Sequence, residues 1–152
     1  MSTSLPTILI AEDSPQDVEM TLTALAEHHL ANEVVVVSDG EEALDYLYLR
    51  GRFQARPVGN PIVILLDLKM PRVDGLEVLR AVKEDPALRM IPVVMLTSSR
   101  EEQDLVRSYQ LGANAYVVKP VGFPEFVEAV KQLGVFWAMH NEPPPGSARR
   151  GG

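Results

Sequence analysis

Cysteine is absent from this chain of 152 residues. Its absence excludes disulfides, zinc–thiolate sites, iron–sulfur clusters and cysteine nucleophiles, and nothing indicates an oxidising compartment. An excess of positive charge is also absent, because 21 acidic residues outnumber 14 basic ones and the net charge is −7. A chain of this sign is poorly suited to neutralising phosphate backbones, so nucleic acid is not expected as a partner.

Long apolar runs are missing as well. No stretch approaches the length that spans a membrane, and the short polar segment at residues 1–7 does not resemble a secretory signal. We therefore expect a cytoplasmic protein, a monomer or small oligomer, with no membrane partner. The length fits one domain, and 46% hydrophobic with 23% charged residues is ordinary for a globular protein.

Five short apolar runs recur along the chain, each too short and too rich in β-branched residues for a helix. They predict β-strands at residues 8–11, 34–37, 62–66, 93–96 and 115–118. Because the runs are continuously apolar and do not alternate with polar residues, they indicate strands buried on both faces. Such strands are typical of a parallel sheet covered by helices.

Helix start signals lie between these runs. Ser14-Pro15 combines a capping residue with a proline at the first helical position, while Asp39, Asp74 and Ser99 each precede a glutamate by three residues. The alternation of strand and helix predicts an α/β fold, a doubly wound five-stranded parallel sheet flanked by five helices.

The end of the chain contains the last predicted helix and a tail. Apolar residues at helical spacing begin near residues 123–124 and continue to Trp137. We expect one domain over residues 6–140, followed by a flexible tail rich in proline and glycine over residues 141–152.

Reactive polar residues follow four of the five predicted strands. In open α/β sheets, ligands bind outside the carboxyl ends of the strands, so these side chains are expected to meet at one edge. A single Asp after a strand is usually a capping residue and a single Lys is usually solvated. The whole set is harder to explain in that way, because burying charged groups costs free energy unless they interact with one another. In strand order the residues are Glu12 and Asp13, Asp67, Thr97 and Ser98, and Lys119.

Three carboxylates at one edge of the sheet repel one another, so a bound cation is expected there. A pair about 4 Å apart repels by about 4 kcal/mol at an effective dielectric constant of about 20. Oxygen ligands of this kind suit Mg²⁺ or Mn²⁺ shared with a phosphate. Lys119 and Thr97 offer a positive charge and a hydroxyl donor for phosphate oxygens. Asp67 could then serve as a nucleophile that carries a phosphoryl group.

These residues resemble the receiver domain of two-component response regulators, which has a flavodoxin-like fold. The resemblance covers the chain from Pro6 to about Leu133. It rests on the segments ILIAED at residues 8–13, LLDLKMP at 65–71 followed by Asp74-Gly75, MLTS at 95–98, and Gly112-Ala113 with YVVKP at 116–120.

The resemblance implies a phosphoacceptor and a metal site. Asp67 corresponds to the phosphoacceptor, and Glu12 and Asp13 correspond to the acidic pair that holds the metal with it. The backbone carbonyl of Lys69 corresponds to the remaining protein ligand. Many receivers have Asn, Met or an acid at this position. The resemblance places the side chains of Lys69 and Ser99 beside the path of attacking water, which implies that they tune the lifetime of the acyl phosphate.

The resemblance also implies a conformational switch. Lys119 corresponds to the lysine that contacts the phosphoryl group. Thr97 and Tyr116 match a switch pair, in which the hydroxyl moves toward the phosphoryl group and the aromatic ring turns inward.

Two longer regions narrow the resemblance. The segment at residues 46–57 is longer than the corresponding segment of a minimal receiver, and the last helix continues into residues 135–139. Both regions are similar to single-domain regulators that partner bacterial phytochrome histidine kinases. This implies a histidine kinase partner, in particular a phytochrome, and a homodimer through the fourth helix, fifth strand and fifth helix. The apolar patch of Phe136, Trp137 and Met139 could serve that interface or pack in the core.

The expected function is a single-domain response regulator, phosphorylated on Asp67 and signalling through a changed surface. It would assist its own phosphotransfer and dephosphorylation without being an enzyme. The alternatives are a partner kinase other than a phytochrome, a pseudo-receiver used as a binding module, and a Mg²⁺-dependent phosphatase with an Asp nucleophile. Phosphatases that resemble haloacid dehalogenases need a second Asp where Lys69 stands. Nucleotide binding would require a glycine-rich loop after the first strand, and the sequence has none there.

Overall fold

The computed structural model describes residues 7–27, 33–98 and 102–119. Within them, five strands alternate with four α-helices, and none of these helices is long and apolar enough to cross a membrane. The fifth predicted helix, the tail and the residue-140 domain boundary lie outside the described residues. The strands are β1 Thr7–Ala11, β2 Glu33–Val37, β3 Val63–Leu66, β4 Val93–Thr97 and β5 Ala115–Val118, and the helices are α1 Pro15–Glu27, α2 Gly40–Leu47, α3 Gly75–Glu84 and α4 Glu102–Gln110.

All five strands are parallel and form one sheet in the order β2-β1-β3-β4-β5. The predicted strands are confirmed to within one residue at each end, and the doubly wound α/β architecture is confirmed with them. In this order the chain reverses direction across the sheet between β1 and β3. The crevice at such a switch point is where open α/β sheets bind ligands, and the acidic residues follow these two strands.

The sheet separates two apolar cores, because successive side chains of a strand point to opposite faces. Leu9 packs with Val78 and Leu79 of α3 on one face, whereas Ile8 packs with Leu25 of α1 on the other. Burial on both faces holds for β3, which is fully buried. The same prediction is wrong for the two edge strands of the sheet. β2 is exposed or half-buried over four of its five residues, and β5 is half-buried over three of its four.

The predicted caps position the helices that follow the strands. The cap of α1 and those of α2 and α3 each accept a hydrogen bond from a backbone N–H three residues later, which satisfies one of the free donors at a helix start. The predicted Ser99 cap lies outside the described residues. The observed pairs are Ser14 with Asp17 at 3.3 Å, Asp39 with Glu42 at 2.8 Å, and Asp74 with Glu77 at 3.0 Å.

Loss of the α3 cap gives a testable stability change. Replacing Asp74 by Ala leaves the Glu77 N–H without its side-chain acceptor, so the free energy of unfolding should fall by about 1 kcal/mol. Asp74→Ser keeps a capping oxygen and should stay within a few tenths of a kcal/mol of the unaltered protein. Urea denaturation of the three proteins measures the difference. Equal losses for Ala and Ser would contradict a capping role.

The segment after α2 is packed against the fold and is not an open loop. The rings of Tyr46 and Phe53 are buried and meet edge to face, with centroids 5.1 Å apart, and residues Gly51–Phe53 form a turn of 3₁₀ helix. Arg56 donates from Nε to the carbonyl oxygen of Tyr46 at 2.8 Å, and its guanidinium lies 3.9 Å from the centroid of the Tyr46 ring. The extra length in this region therefore contributes to the core.

Candidate functional site

Four charged side chains converge at the carboxyl edge of the sheet. Glu12 and Asp13 follow β1, Asp67 follows β3 and Lys119 follows β5. Glu12 and Asp67 are buried and Asp13 is exposed. One carboxylate oxygen from each of the three acids lies within 4.8 Å of the others. The parallel sheet thus brings residues that are far apart in sequence into one cluster of charged side chains.

Backbone hydrogen bonds fix the two buried acids. The N–H of Glu12 donates to the carbonyl oxygen of Val37, and the N–H of Asp67 donates to that of Ala11, each at 3.0 Å. These bonds continue the pattern of the sheet one residue past the strand ends. The Glu12 carboxylate also accepts a hydrogen bond from the N–H of Ser14 at 3.1 Å. Both side chains therefore leave the sheet from well-defined backbone positions.

Lys119 is in ionic contact with three acids and hydrogen-bonded to two of them. Its ammonium Nζ donates hydrogen bonds to the carboxylates of Glu12 and Asp17, and the Nζ to Oδ2 distance is 2.8 Å for Asp17. The nearest distance to Asp67 is longer, at 3.7 Å. Sequence reasoning missed Asp17. The available signal was its position in the first turn of α1, directly after the acidic pair.

Burial and neighbouring charges shift the pKa values of Glu12 and Lys119. Burial raises the pKa of Glu12 to about 7, and the neighbouring Asp67 charge adds to the rise against the hydrogen bonds from Lys119 and Ser14. For Lys119, burial alone would lower the pKa. The hydrogen bonds to Asp17 and Glu12 and the charge of Asp67 outweigh this effect and leave the pKa above its usual value. Lys119 is therefore a fixed positive charge at the site.

The loop after Asp67 packs closely against the start of α3 at the carboxyl edge of the sheet. Gly75 opens α3, and its N–H donates to the carbonyl oxygen of Leu68 at 2.8 Å. A Cβ atom on Gly75 would lie 2.2 Å from the carbonyl oxygen of Asp67. Arg72 has a left-handed φ of 67° and pairs with Glu41 of α2 at 2.9 Å. The close approach of Gly75 thus constrains the backbone at Asp67, whereas the pair of Arg72 and Glu41 is an exposed surface contact.

Comparison with known proteins decides the family. The response regulator receiver domain matches residues 8–131, which is most of the chain. This chain belongs to the response regulator receiver family. The match selects the receiver over the phosphatase and nucleotide-binding alternatives.

Individual relatives place this receiver among regulators of phosphorylation-based signalling. The response regulator Rcp1 of Synechocystis sp. is 36% identical over 130 residues, covering 86% of this chain and 87% of Rcp1. The structure of the bacteriophytochrome response regulator AtBRR is 64% identical with a TM-score of 0.83, covering 92% of this chain and 100% of AtBRR. The Mn²⁺-bound form of Rcp1 is 34% identical with a TM-score of 0.75, covering 93% and 99% of the two chains.

The donor set of the receiver fits a divalent cation. Carboxylate oxygens are hard ligands, and the three acids place such oxygens within 4.8 Å of one another. A related protein with the same fold has been solved with Mn²⁺ bound. The side chain of Lys69 is exposed, and the role of its backbone carbonyl as a ligand stays a prediction.

The predicted switch pair is described in part. Thr97 ends β4, where its backbone is paired with Val118, and its side chain lies outside the described part of the structure. Tyr116 lies in β5 and packs, half-buried, against the core on the α3 face of the sheet. The switch stays a prediction. The homodimer also stays a prediction, because the fifth helix of its interface lies outside the described residues.

Proposed function

We propose that this receiver accepts a phosphoryl group on Asp67 from the phosphohistidine of a histidine kinase, and that the kinase is a bacteriophytochrome. One observation carries the proposal. The buried Asp67 carboxylate lies in one cluster with two further acids and with Lys119, whose Nζ lies 3.7 Å from it. Such a cluster combines a nucleophile, a set of oxygen ligands and a fixed positive charge.

The chemistry is a transfer between two protein side chains. A carboxylate oxygen of Asp67 attacks the phosphorus atom, the bond from phosphorus to the kinase imidazole nitrogen breaks, and the nitrogen keeps the electron pair. The product on Asp67 is an acyl phosphate. Mg²⁺ held by Glu12, Asp13, Asp67 and the Lys69 carbonyl would neutralise charge on the phosphoryl oxygens. Lys119 lies close enough to pair with a phosphoryl oxygen after a small movement of its side chain.

The phosphoryl group would be sensed by the switch pair. It carries a charge of about −1.5 to −2, which replaces the single negative charge of the Asp67 carboxylate. In this proposal the Thr97 hydroxyl moves toward a phosphoryl oxygen, and Tyr116 shifts from its half-buried position into the space left behind. The two arrangements would expose different surfaces along β4 and β5, which a downstream partner can distinguish.

The assignment of a bacteriophytochrome as the partner kinase depends on the similarity to AtBRR. AtBRR, a bacteriophytochrome response regulator by name, shares 64% of its residues with this receiver along its whole length. Identity at that level preserves surface residues as well as the core, so a similar docking surface is expected.

Phosphotransfer profiling tests both parts of the proposal. Purified receiver is mixed with radiolabelled phosphorylated histidine kinases, and the initial transfer rate is measured. A bacteriophytochrome kinase should transfer at least about tenfold faster than other kinases, a difference of about 1.4 kcal/mol. Chelation of divalent cations should stop the transfer, and Mg²⁺ or Mn²⁺ should restore it.

The results of this experiment distinguish the identity of the kinase from the phosphorylation of Asp67. Faster transfer from a different kinase would overturn the partner assignment and leave phosphorylation intact. An absence of transfer from every kinase, with an intact fold by circular dichroism, would favour a pseudo-receiver.

A further inference from the structure

The ammonium group of Lys119 lies nearer to Glu12 and Asp17 than to Asp67. Its Nζ hydrogen-bonds to Glu12 and to Oδ2 of Asp17, the latter at 2.8 Å, whereas Oδ2 of Asp67 lies 3.7 Å away. Charge-assisted N–H···O bonds are usually about 2.7–2.9 Å long. Asp67 is therefore in ionic contact with Lys119 without being hydrogen-bonded to it, while Asp17 is hydrogen-bonded.

The backbone of Asp17 is fixed on both sides. The Ser14 hydroxyl accepts a hydrogen bond from the Asp17 N–H at 3.3 Å, and the Asp17 carbonyl oxygen accepts one from the Thr21 hydroxyl at 2.9 Å. The side chain of Asp17 is 35% exposed and that of Lys119 is 13% exposed. A pair that is partly removed from water and built on a fixed helical turn has a well-defined geometry, unlike a surface ion pair.

We propose that Asp17 is a positioning residue for Lys119, which holds the ammonium beyond hydrogen-bonding distance of Asp67 until a cation or a phosphoryl group arrives. The inference rests on the proposed function of Asp67. Without the Asp17 carboxylate, the remaining acceptors of Lys119 are Glu12 and Asp67. An ammonium bonded to Asp67 would compete with a divalent cation for the same oxygens. Asp17 thereby keeps these oxygens available to the cation.

Mg²⁺ binding to the Asp17→Asn protein tests this role. Calorimetric titration without a phosphodonor should give a dissociation constant roughly tenfold higher than for the unaltered receiver, the lower end of the cost of losing an outer partner of a metal ligand. Glu19→Gln is the matched control. It removes the same charge from an exposed position two residues further along α1 and should change the constant by less than about twofold.

A double-mutant cycle separates positioning from a general charge effect. If Asp17 acts through Lys119, then in a Lys119→Met background Asp17→Asn should weaken Mg²⁺ binding no more than Glu19→Gln does. An undiminished effect in that background would overturn the proposal. Asp17→Ser provides a second variant, which lacks the carboxylate and suits the first turn of a helix. Circular dichroism verifies that each protein is folded.

A structure of the metal-free Asp17→Asn protein gives a direct readout. The distance from Lys119 Nζ to Asp67 Oδ2 should shorten from 3.7 Å to about 2.8 Å. An unchanged Lys119 position would overturn the positioning role. Phosphorylation of the unaltered receiver is measured separately. Coupling between Asp17 and Lys119 without phosphate uptake would contradict the proposed function alone, and uptake without coupling would contradict the positioning role alone.

Discussion

Asp67→Asn abolishes phosphate uptake if Asp67 is the phosphoacceptor. Asn keeps the size of the side chain, but its amide is a poor nucleophile and cannot form an acyl phosphate. After incubation with acetyl phosphate and Mg²⁺, the unaltered receiver should gain the mass of one phosphoryl group. The Asp67→Asn protein should gain none, and intact-protein mass spectrometry measures both.

Two controls make this result specific. Asp74→Asn changes another Asp of the same loop and keeps a capping side chain, so its phosphate uptake should match that of the unaltered receiver. The Asp67→Asn protein should remain folded, because the repulsion of Glu12 that it loses offsets the lost attraction to Lys119. Its free energy of unfolding without metal should stay close to that of the unaltered receiver. Phosphate uptake by Asp67→Asn at the unaltered level would place the chemistry on another residue.

Gly75→Ala should disturb the same site through the backbone. Alanine has the higher helix propensity, which favours the substitution by about 1 kcal/mol. The new Cβ would lie 2.2 Å from the carbonyl oxygen of Asp67 and 2.8 Å from Cα of Leu68. Backbone atoms cannot move aside as a flexible side chain does. The overlap should therefore outweigh the propensity and lower the free energy of unfolding by about 2 kcal/mol or more.

The displaced loop also includes the nucleophile. A shift of about 1 Å in a reacting group can reduce a rate roughly 100-fold, so phosphorylation of Gly75→Ala by acetyl phosphate should fall by a similar factor. Arg80→Ala is the control on α3, because Arg80 is exposed and pairs only weakly with Glu84. That control should stay within about 0.5 kcal/mol in urea denaturation and should keep its phosphorylation rate. A Gly75→Ala protein as stable and active as the control would contradict the close packing.

The sequence predicts the elements that local signals determine. The apolar runs locate the strands, and Asp39 and Asp74 mark the helix starts that the structure has. The convergence of Glu12, Asp13 and Asp67 also follows from sequence, because every parallel strand ends at the same edge of the sheet. These features depend on short-range patterns and on a general rule of topology.

Other features depend on contacts that no local pattern contains. The hydrogen bond from Lys119 to Asp17 joins residues that are 102 positions apart, and it depends on the orientation of the Lys119 side chain. The half-burial of β2 follows from its place at the edge of the sheet, which the apolar run does not reveal. The packing of Tyr46 against Phe53 likewise depends on how the segment after α2 folds back.

Chemical mapping of the phosphoryl group tests the central claim most directly. Borohydride reduces an acyl phosphate of aspartate to homoserine, which peptide mass spectrometry locates by position. After phosphorylation by the kinase and reduction, we predict homoserine at position 67 and at no other aspartate. Homoserine at a different position, or an unmodified Asp67 in a receiver that has taken up phosphate, would contradict the account.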